Sequence, residues 1–299
     1  MLNRNIILEG RIKSWLGKAD IDKMSLKEKS LLINAVQGLY KATDDEDYKD
    51  WVMNTLADAV DEEGNVAGMD KEDMCDSFYF GNLLFFAVAQ DDRYKKAILN
   101  IEKSLAKADG TMTAKDTWKC QPYFMNYETV YGGKERYNAI IANYNRVVKE
   151  EGVPASAEFA CGLIDTMEVM AQPLYEIFAK MKDYYKETVK AVLASDEKAK
   201  NETSADNTAN DVCNCLCADK LLFVYAVLKG CRMKALHTEK YAACQMKVLD
   251  CAVEAICSDA ASIDSDSTIG ATLVLAYAES LRNREYQDYG RNKGGALWS

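Results

Sequence analysis

Apolar residues recur along this chain at the three- and four-residue spacing of an α-helix, and the alternation typical of β-strands is nearly absent. Ser25 and Glu28 have the spacing of a capping box, which predicts a helix that begins beside them. The same periodicity predicts further helices over residues 2–16, 45–61, 77–90, 91–107, 119–131, 134–150, 158–170, 173–194, 212–234, 238–258 and 270–284. About twelve helices with short connections make about six helical hairpins.

Two kinds of helix alternate in this pattern. Residues 77–90 and 212–234 are apolar nearly all round, whereas residues 45–61 and 238–258 are apolar on one face. A closed ring of inner and outer helices needs this alternation, because its inner helices contact both neighbours and the outer ring. An α-solenoid needs it less. We therefore predict an all-α fold, an (α/α)6 barrel that forms a single domain over residues 1–299, with the α-solenoid as the alternative.

Two segments fall outside the helical pattern. Residues 196–210 are rich in Lys, Glu, Asn, Ser and Thr, a composition that predicts disorder. Residues 286–299 combine glycines with aromatic residues, Arg and Lys, and we predict that they are not a helix. This tail could line a pocket, pack on the barrel or contact a second copy of the chain, so a homo-oligomer is possible.

The charge balance argues against two classes of partner. The net charge is −10, from 37 basic and 47 acidic residues, without a basic stripe. Nucleic acids and anionic membrane surfaces need clustered Lys and Arg, so we expect neither as a partner. No apolar run is long enough for a signal peptide or a membrane span, which predicts a cytoplasmic protein. The ten cysteines are then expected to be reduced thiols of the core rather than a disulfide framework.

Other catalytic and cofactor patterns are weak. Cys213, Cys215 and Cys217 alternate, so on a helix their thiols would point in opposite directions and could not bind one metal ion together. The chain has one histidine, His237, which we predict lies in an exposed helix–helix turn. Ser-His-Asp and Cys-His catalysis are therefore not expected, and Gly132-Gly133 is predicted to end a helix rather than bind phosphate. We expect no metal and no cofactor.

Several segments, taken in order, resemble one family. They are Asp76–Ala87, Asp92–Ala97, Gln121–Tyr137, Asp165–Tyr175, Leu222–Gly230 and Gly270–Glu279. Their order and spacing are similar to those of the unsaturated uronyl hydrolases of glycoside hydrolase families 88 and 105. The resemblance covers most of the chain, and it favours the (α/α)6 barrel over the solenoid.

The resemblance implies a reaction and a set of residues. Enzymes of these families remove a 4,5-unsaturated uronic acid from the end of a cut oligosaccharide of the pectin type, beginning with hydration of the C4–C5 double bond. This chemistry needs a carboxyl group that can hold and pass a proton. The resemblance implies that Asp76 and Asp116 are the catalytic pair, and that Trp118, Gln121 and Tyr123 contact the oligosaccharide.

The residues by themselves leave an alternative for each aspartate. Asp76, with Ser77, could cap the helix that follows, and Asp116 could cap a helix that begins near Trp118. Residues 115–120 also replace the Asp-Gly-Leu-Tyr-Met segment that the family has before Gln121, and two further pocket segments of the family are shortened or replaced. Two hypotheses follow: a hydrolase of unsaturated uronyl oligosaccharides, or a catalytically degenerate barrel that binds a carbohydrate or a protein.

Overall fold

The computed structural model describes residues 2–69, 73–105, 112–133, 136–171, 174–202 and 215–292. These ranges contain twelve α-helices: α1 (Leu2–Leu16), α2 (Leu26–Thr43), α3 (Glu46–Ala59), α4 (Met74–Leu84), α5 (Asp92–Leu105), α6 (Ala114–Val130), α7 (Tyr137–Glu151), α8 (Ala157–Val169), α9 (Tyr175–Glu202), α10 (Ala218–Arg232), α11 (Thr238–Cys257) and α12 (Ser267–Asn292). No β-strand forms in the described ranges, where an isolated antiparallel bridge joins Val60 and Val66. The predicted all-α class is confirmed.

The helices group into two compact units. One contains the described parts of Met1–Asp20, Asn34–Asp50 and Asn207–Ser299, and the other those of Ile21–Ile33 and Trp51–Asp206. Two of the boundaries between the units fall within α2 and α3, and another lies between Asp20 and Ile21. That residues 1–299 form a single domain stays a prediction.

In the second unit, α4, α6 and α8 lie side by side, and α5, α7 and α9 pack against them. The contacts between α4 and α6 follow the same sequence direction on both helices. Asp76 pairs with Lys119 near one end, and Asn126 donates a hydrogen bond to Asn82 (3.2 Å) near the other. The two helices are therefore parallel. Their N-terminal ends, with the partial positive charge of unpaired backbone N–H groups, lie at the same end of the unit.

A glycine allows α8 to approach α6 closely. A Cβ atom on Gly162 would lie 2.9 Å from Oγ1 of Thr117 and 3.0 Å from its carbonyl carbon. No other residue fits this contact without moving a backbone. Ser156 begins α8 as its N-cap, accepting a hydrogen bond from the N–H of Phe159 at 3.2 Å.

The first unit is built on α10, which packs against α11 and α12, while α1 packs against α11. Glu279 of α12 is 2% exposed and accepts a short hydrogen bond from Nε of Arg232 on α10. This ion pair compensates the buried charge of Glu279 at the α10–α12 contact.

Several predicted features at helix ends are confirmed. Ser25 and Glu28 form the capping box, with Ser25 N–H to Glu28 Oε2 at 3.1 Å and Glu28 N–H to Ser25 Oγ at 3.3 Å. His237 is exposed at the N-cap of α11, as predicted. Gly133 has a φ of 70° in the turn after α6, a conformation that favours glycine.

Other boundaries were wrong. Helix α6 begins before the predicted residue 119, because Thr113 caps it. Helix α4 begins before residue 77, because Asp73 caps it, and it ends at Leu84. After Leu84, hydrogen bonds such as Phe86 N–H to Leu83 O (3.2 Å) form tighter turns instead of a helix.

Two segments predicted to lack helix are partly helical. Helix α9 continues to Glu202, through most of the first half of the stretch predicted to be disordered, because Glu, Lys and Ala there are strong helix formers. Helix α12 continues to Asn292, into the tail predicted not to be a helix. The remainders, residues 203–210 and 293–299, lie outside the described residues, as does Cys213. Within the described ranges, no helix has the length and apolar character needed to cross a membrane.

Candidate active site

The first turn of α4 carries Asp76 in a buried position. The N-cap is Asp73, whose carboxylate accepts a hydrogen bond from the N–H of Cys75 at 3.2 Å. Asp76 follows inside the helix, where its N–H donates to the carbonyl of Asp73 at 2.9 Å. Since Asp73 is the cap, Asp76 does not perform that function, and its side chain, with a residue exposure of 6%, has a different partner.

Asp116 belongs to a capping box at the start of α6. Its Oδ2 atom accepts hydrogen bonds from the N–H of Thr113 at 2.8 Å and from the hydroxyl of Thr113 at 2.7 Å. Thr113 is the N-cap and Asp116 is the third helical residue. The capping role anticipated for Asp116 is therefore present, at a helix start earlier than predicted. The carboxylate is half-buried.

Lys119 joins the two helix ends. Its Nζ lies 2.6 Å from Oδ1 of Asp76 and 3.8 Å from Oδ2 of Asp73. Burial lowers the pKa of Lys119, but the contact with Asp76 and the charge of Asp73 outweigh burial, so this pKa lies above its ordinary value. The ammonium group stays charged and compensates the buried carboxylate of Asp76.

One cluster of ligand atoms contains Asp116. The side-chain atoms of Asp73, Cys75 and Asp116 that could bind a cation lie within 4.8 Å of one another. Lys119 already supplies positive charge beside Asp73, and both carboxylates cap helices, so the cluster has a structural explanation without a metal ion. The expectation that no metal or cofactor is used stays a prediction.

A pair of thiols lies next to this ion pair. Cys75 of α4 and Cys120 of α6 contact each other, and their hydrogen bond, together with burial, raises the pKa of Cys120. Cys120 is fully buried, as expected for a core thiol. The structure thus brings Asp76 and Asp116 to the same end of two parallel helices, with Lys119 and this thiol pair beside them.

The three residues predicted to contact a sugar lie further into the unit. Trp118 is 6% exposed and donates from Nε1 to Oδ2 of Asp165 at 3.0 Å, while its ring packs on Tyr79. Gln121 is fully buried, with its Nε2 3.1 Å from Sδ of Met112. These contacts stabilise the packing of α6.

Tyr123 is also fully buried, and its hydroxyl donates to the carbonyl of Ile98 at 2.8 Å. Neither Gln121 nor Tyr123 presents a surface to a sugar in this structure, and their role in substrate binding stays a prediction. From the sequence, no role in the site was predicted for Lys119, Asp73 or Asp165. The available signal for Lys119 was its position between buried residues of a helical turn, where a lysine needs a partner of opposite charge.

An open cleft of about 530 Å³ lies elsewhere in the same unit. It is lined by the end of α3, the turn that follows and Arg93. Arg93 is paired with Asp91 at 3.0 Å and with Glu62 at 3.6 Å. None of the five residues predicted for the site lines this cleft.

The fold is similar to that of a known hydrolase. No protein-family model matches this chain, and no curated protein sequence matches it. Among solved structures, a glycoside hydrolase from family 105 of C. acetobutylicum ATCC 824 superposes with a TM-score of 0.67 and 14% identity, covering 92% of this chain and 98% of that one. This likeness confirms the predicted all-α barrel fold and, for the fold, the resemblance seen in the sequence. The roles predicted for the site residues stay predictions.

Proposed function

We propose that this protein is a glycoside hydrolase that acts on unsaturated uronyl oligosaccharides of the pectin type by hydration of the C4–C5 double bond. The observation that carries the proposal is the placement of Asp76 and Asp116 at the N-terminal ends of two parallel neighbouring helices, with Lys119 paired to Asp76 and Asp116 beside Asp73. The fold likeness to a glycoside hydrolase supports it. A cytoplasmic location, suited to free thiols, is part of the same proposal.

The two aspartates have different tasks in this proposal. Asp116 is the more exposed of the two, so it is the group that gives a proton to C4 and takes one back from the water that adds at C5. Asp76 forms an ion pair with Lys119 and positions its ammonium group. Lys119 is the local positive charge that a uronate carboxylate needs on an otherwise acidic protein.

The test is turnover. The purified full chain is incubated with unsaturated uronyl disaccharides, and the ultraviolet absorbance of the C4–C5 double bond is followed. Asp116→Asn should lower the rate by roughly 10²- to 10⁴-fold, because a proton-transfer group is lost while an amide oxygen can still accept the hydrogen bonds of the cap. Asp266→Asn, at a carboxylate that accepts the backbone N–H groups of Thr268 and Ile269, is the matched control. No loss of absorbance with any such disaccharide would overturn the proposal.

A second candidate is a catalytically degenerate barrel that binds a carbohydrate or a protein. It is favoured by the fact that each carboxylate already has a structural partner: Lys119 for Asp76, and Thr113 for Asp116. Titration calorimetry with the same disaccharides separates the two candidates. Binding without turnover, unchanged in Asp76→Asn, supports the second candidate, whereas turnover that Asp116→Asn abolishes supports the first.

A further inference from the structure

Two cysteine side chains meet in the unit that contains α10 and α11. The Sγ atoms of Cys215 and Cys251 lie 2.8 Å apart, which is inside the ordinary non-bonded contact distance of two sulfur atoms. A disulfide bond is about 2.05 Å long, so a movement of roughly 0.8 Å would close one. The fold holds these two thiols where a covalent bond can form without a rearrangement of helices.

The surroundings of the two thiols differ. Cys215 lies just ahead of α10, whose N-cap is Cys217, and is 6% exposed. Cys251 lies on α11, which packs against α10, and its side chain is half-buried. A reagent in solution therefore reaches Cys251 before it reaches Cys215.

We propose that Cys215 and Cys251 are a modification site, at which a reversible disulfide forms by thiol–disulfide exchange with a small-molecule disulfide such as glutathione disulfide. In the first step, the thiolate of Cys251 attacks one sulfur of glutathione disulfide, the S–S bond of the reagent breaks, and one glutathione thiolate leaves. In the second step, Cys215 loses its proton and attacks Sγ of Cys251, and the second glutathione leaves. Two protein thiols are oxidised and one glutathione disulfide is reduced to two thiols.

The acidity of Cys215 fits this order of events. Burial, and then the hydrogen bond with Cys251, raise the pKa of Cys215 to about 12. A thiol with so high a pKa is a poor nucleophile toward a reagent in solution. Its attack on Cys251 is instead made effective by proximity, because the two sulfur atoms are already in contact.

The bond would tie the segment ahead of α10 to the middle of α11. The two cysteines are 36 positions apart in the sequence, so the disulfide closes a loop of moderate length in the unfolded chain. Loss of loop entropy in the unfolded state is expected to raise Tm by roughly 5 °C in the oxidised protein.

The experiment uses the native full chain. Protein is equilibrated with glutathione disulfide, remaining thiols are alkylated, and the unreduced protein is cleaved with trypsin for mass spectrometry. Cleavage at Lys and Arg places Cys215 in the peptide 201–220 and Cys251 in the peptide 248–282. We expect these two peptides to be covalently linked, and expect dithiothreitol to separate them.

Variants assign the linkage, because each peptide contains other cysteines. Cys215→Ser and Cys251→Ser should each abolish the link and the rise in Tm. Cys244→Ser, at an exposed cysteine of the same helix, should retain both. Circular dichroism of the reduced variants shows whether they fold. The peptide map of the wild type tests the proposal even if a variant does not fold. The absence of linked peptides in the wild type, or a link that survives Cys251→Ser through Cys257, would overturn the proposal. These readouts require no hydrolase activity.

Discussion

The ion pair between Asp76 and Lys119 offers a direct test of the structure at the candidate site. Asp76→Asn removes the negative charge and leaves the ammonium group of Lys119 with its nearest partner neutral. The side chains of Asp76 and Lys119 are 8% and 16% exposed, so water can replace little of the lost interaction. We expect this variant to be clearly destabilised.

The magnitude follows from the geometry. Removing one partner of a buried ion pair costs about 3–5 kcal/mol, because the other charge is left buried without compensation. Asp73 remains 3.8 Å from Nζ of Lys119, and part of the lysine reaches solvent, so we expect a smaller loss of about 2–3 kcal/mol. In the double variant Asp76→Asn/Lys119→Met both charges are gone, and the loss should be about 1 kcal/mol or less.

Urea unfolding followed by circular dichroism measures these values, with the slope m checked for each variant. The control is Glu46→Gln, which breaks the exposed ion pair between Lys49 and Glu46 (2.8 Å) and should cost less than about 0.5 kcal/mol. The free energy of unfolding of Lys119→Met is measured as well. If the loss in the double variant equals the sum of the losses in Asp76→Asn and Lys119→Met, the two residues are energetically independent. The placement of the pair at the centre of the site would then be refuted.

Three further predictions concern the same unit. Burial outweighs the contact with an arginine and raises the pKa of Glu102 above that of an ordinary glutamate. Ionisation of Glu102 therefore lowers the stability of the wild type as the pH rises above about 4.3. The Tm of Glu102→Gln should exceed that of the wild type by an amount that grows with pH. A difference in Tm that stays constant with pH would contradict this. Gly162→Ala should lose about 1–3 kcal/mol in urea unfolding because of the clash with Thr117, and Thr117→Ala should not restore it fully, because backbone atoms are also in the way. Ser156→Ala should lose about 1 kcal/mol in the same assay, since the N–H of Phe159 loses its acceptor, whereas Ser156→Asp should lose much less.

Local sequence determined which parts of this chain are helical. The hydrogen bonds of a helix join residues four apart, so periodicity and capping residues such as Ser25 with Glu28 are visible without the fold. Where boundaries were wrong, the signal was also local but weaker: Asp73 and Thr113 were the caps, and neither was recognised. The order of several segments was enough to indicate the barrel.

The site depended on distances that only the tertiary structure decides. Nothing in the sequence shows that Lys119 is the partner of Asp76, because the register between α4 and α6 is set by side-chain packing along both helices. The same holds for the contact between Cys215 and Cys251, since each appears in the sequence as one small apolar residue among many. Hydrophobic spacing fixes which side of a helix is buried, whereas the residue it meets on another helix depends on how all the helices pack together.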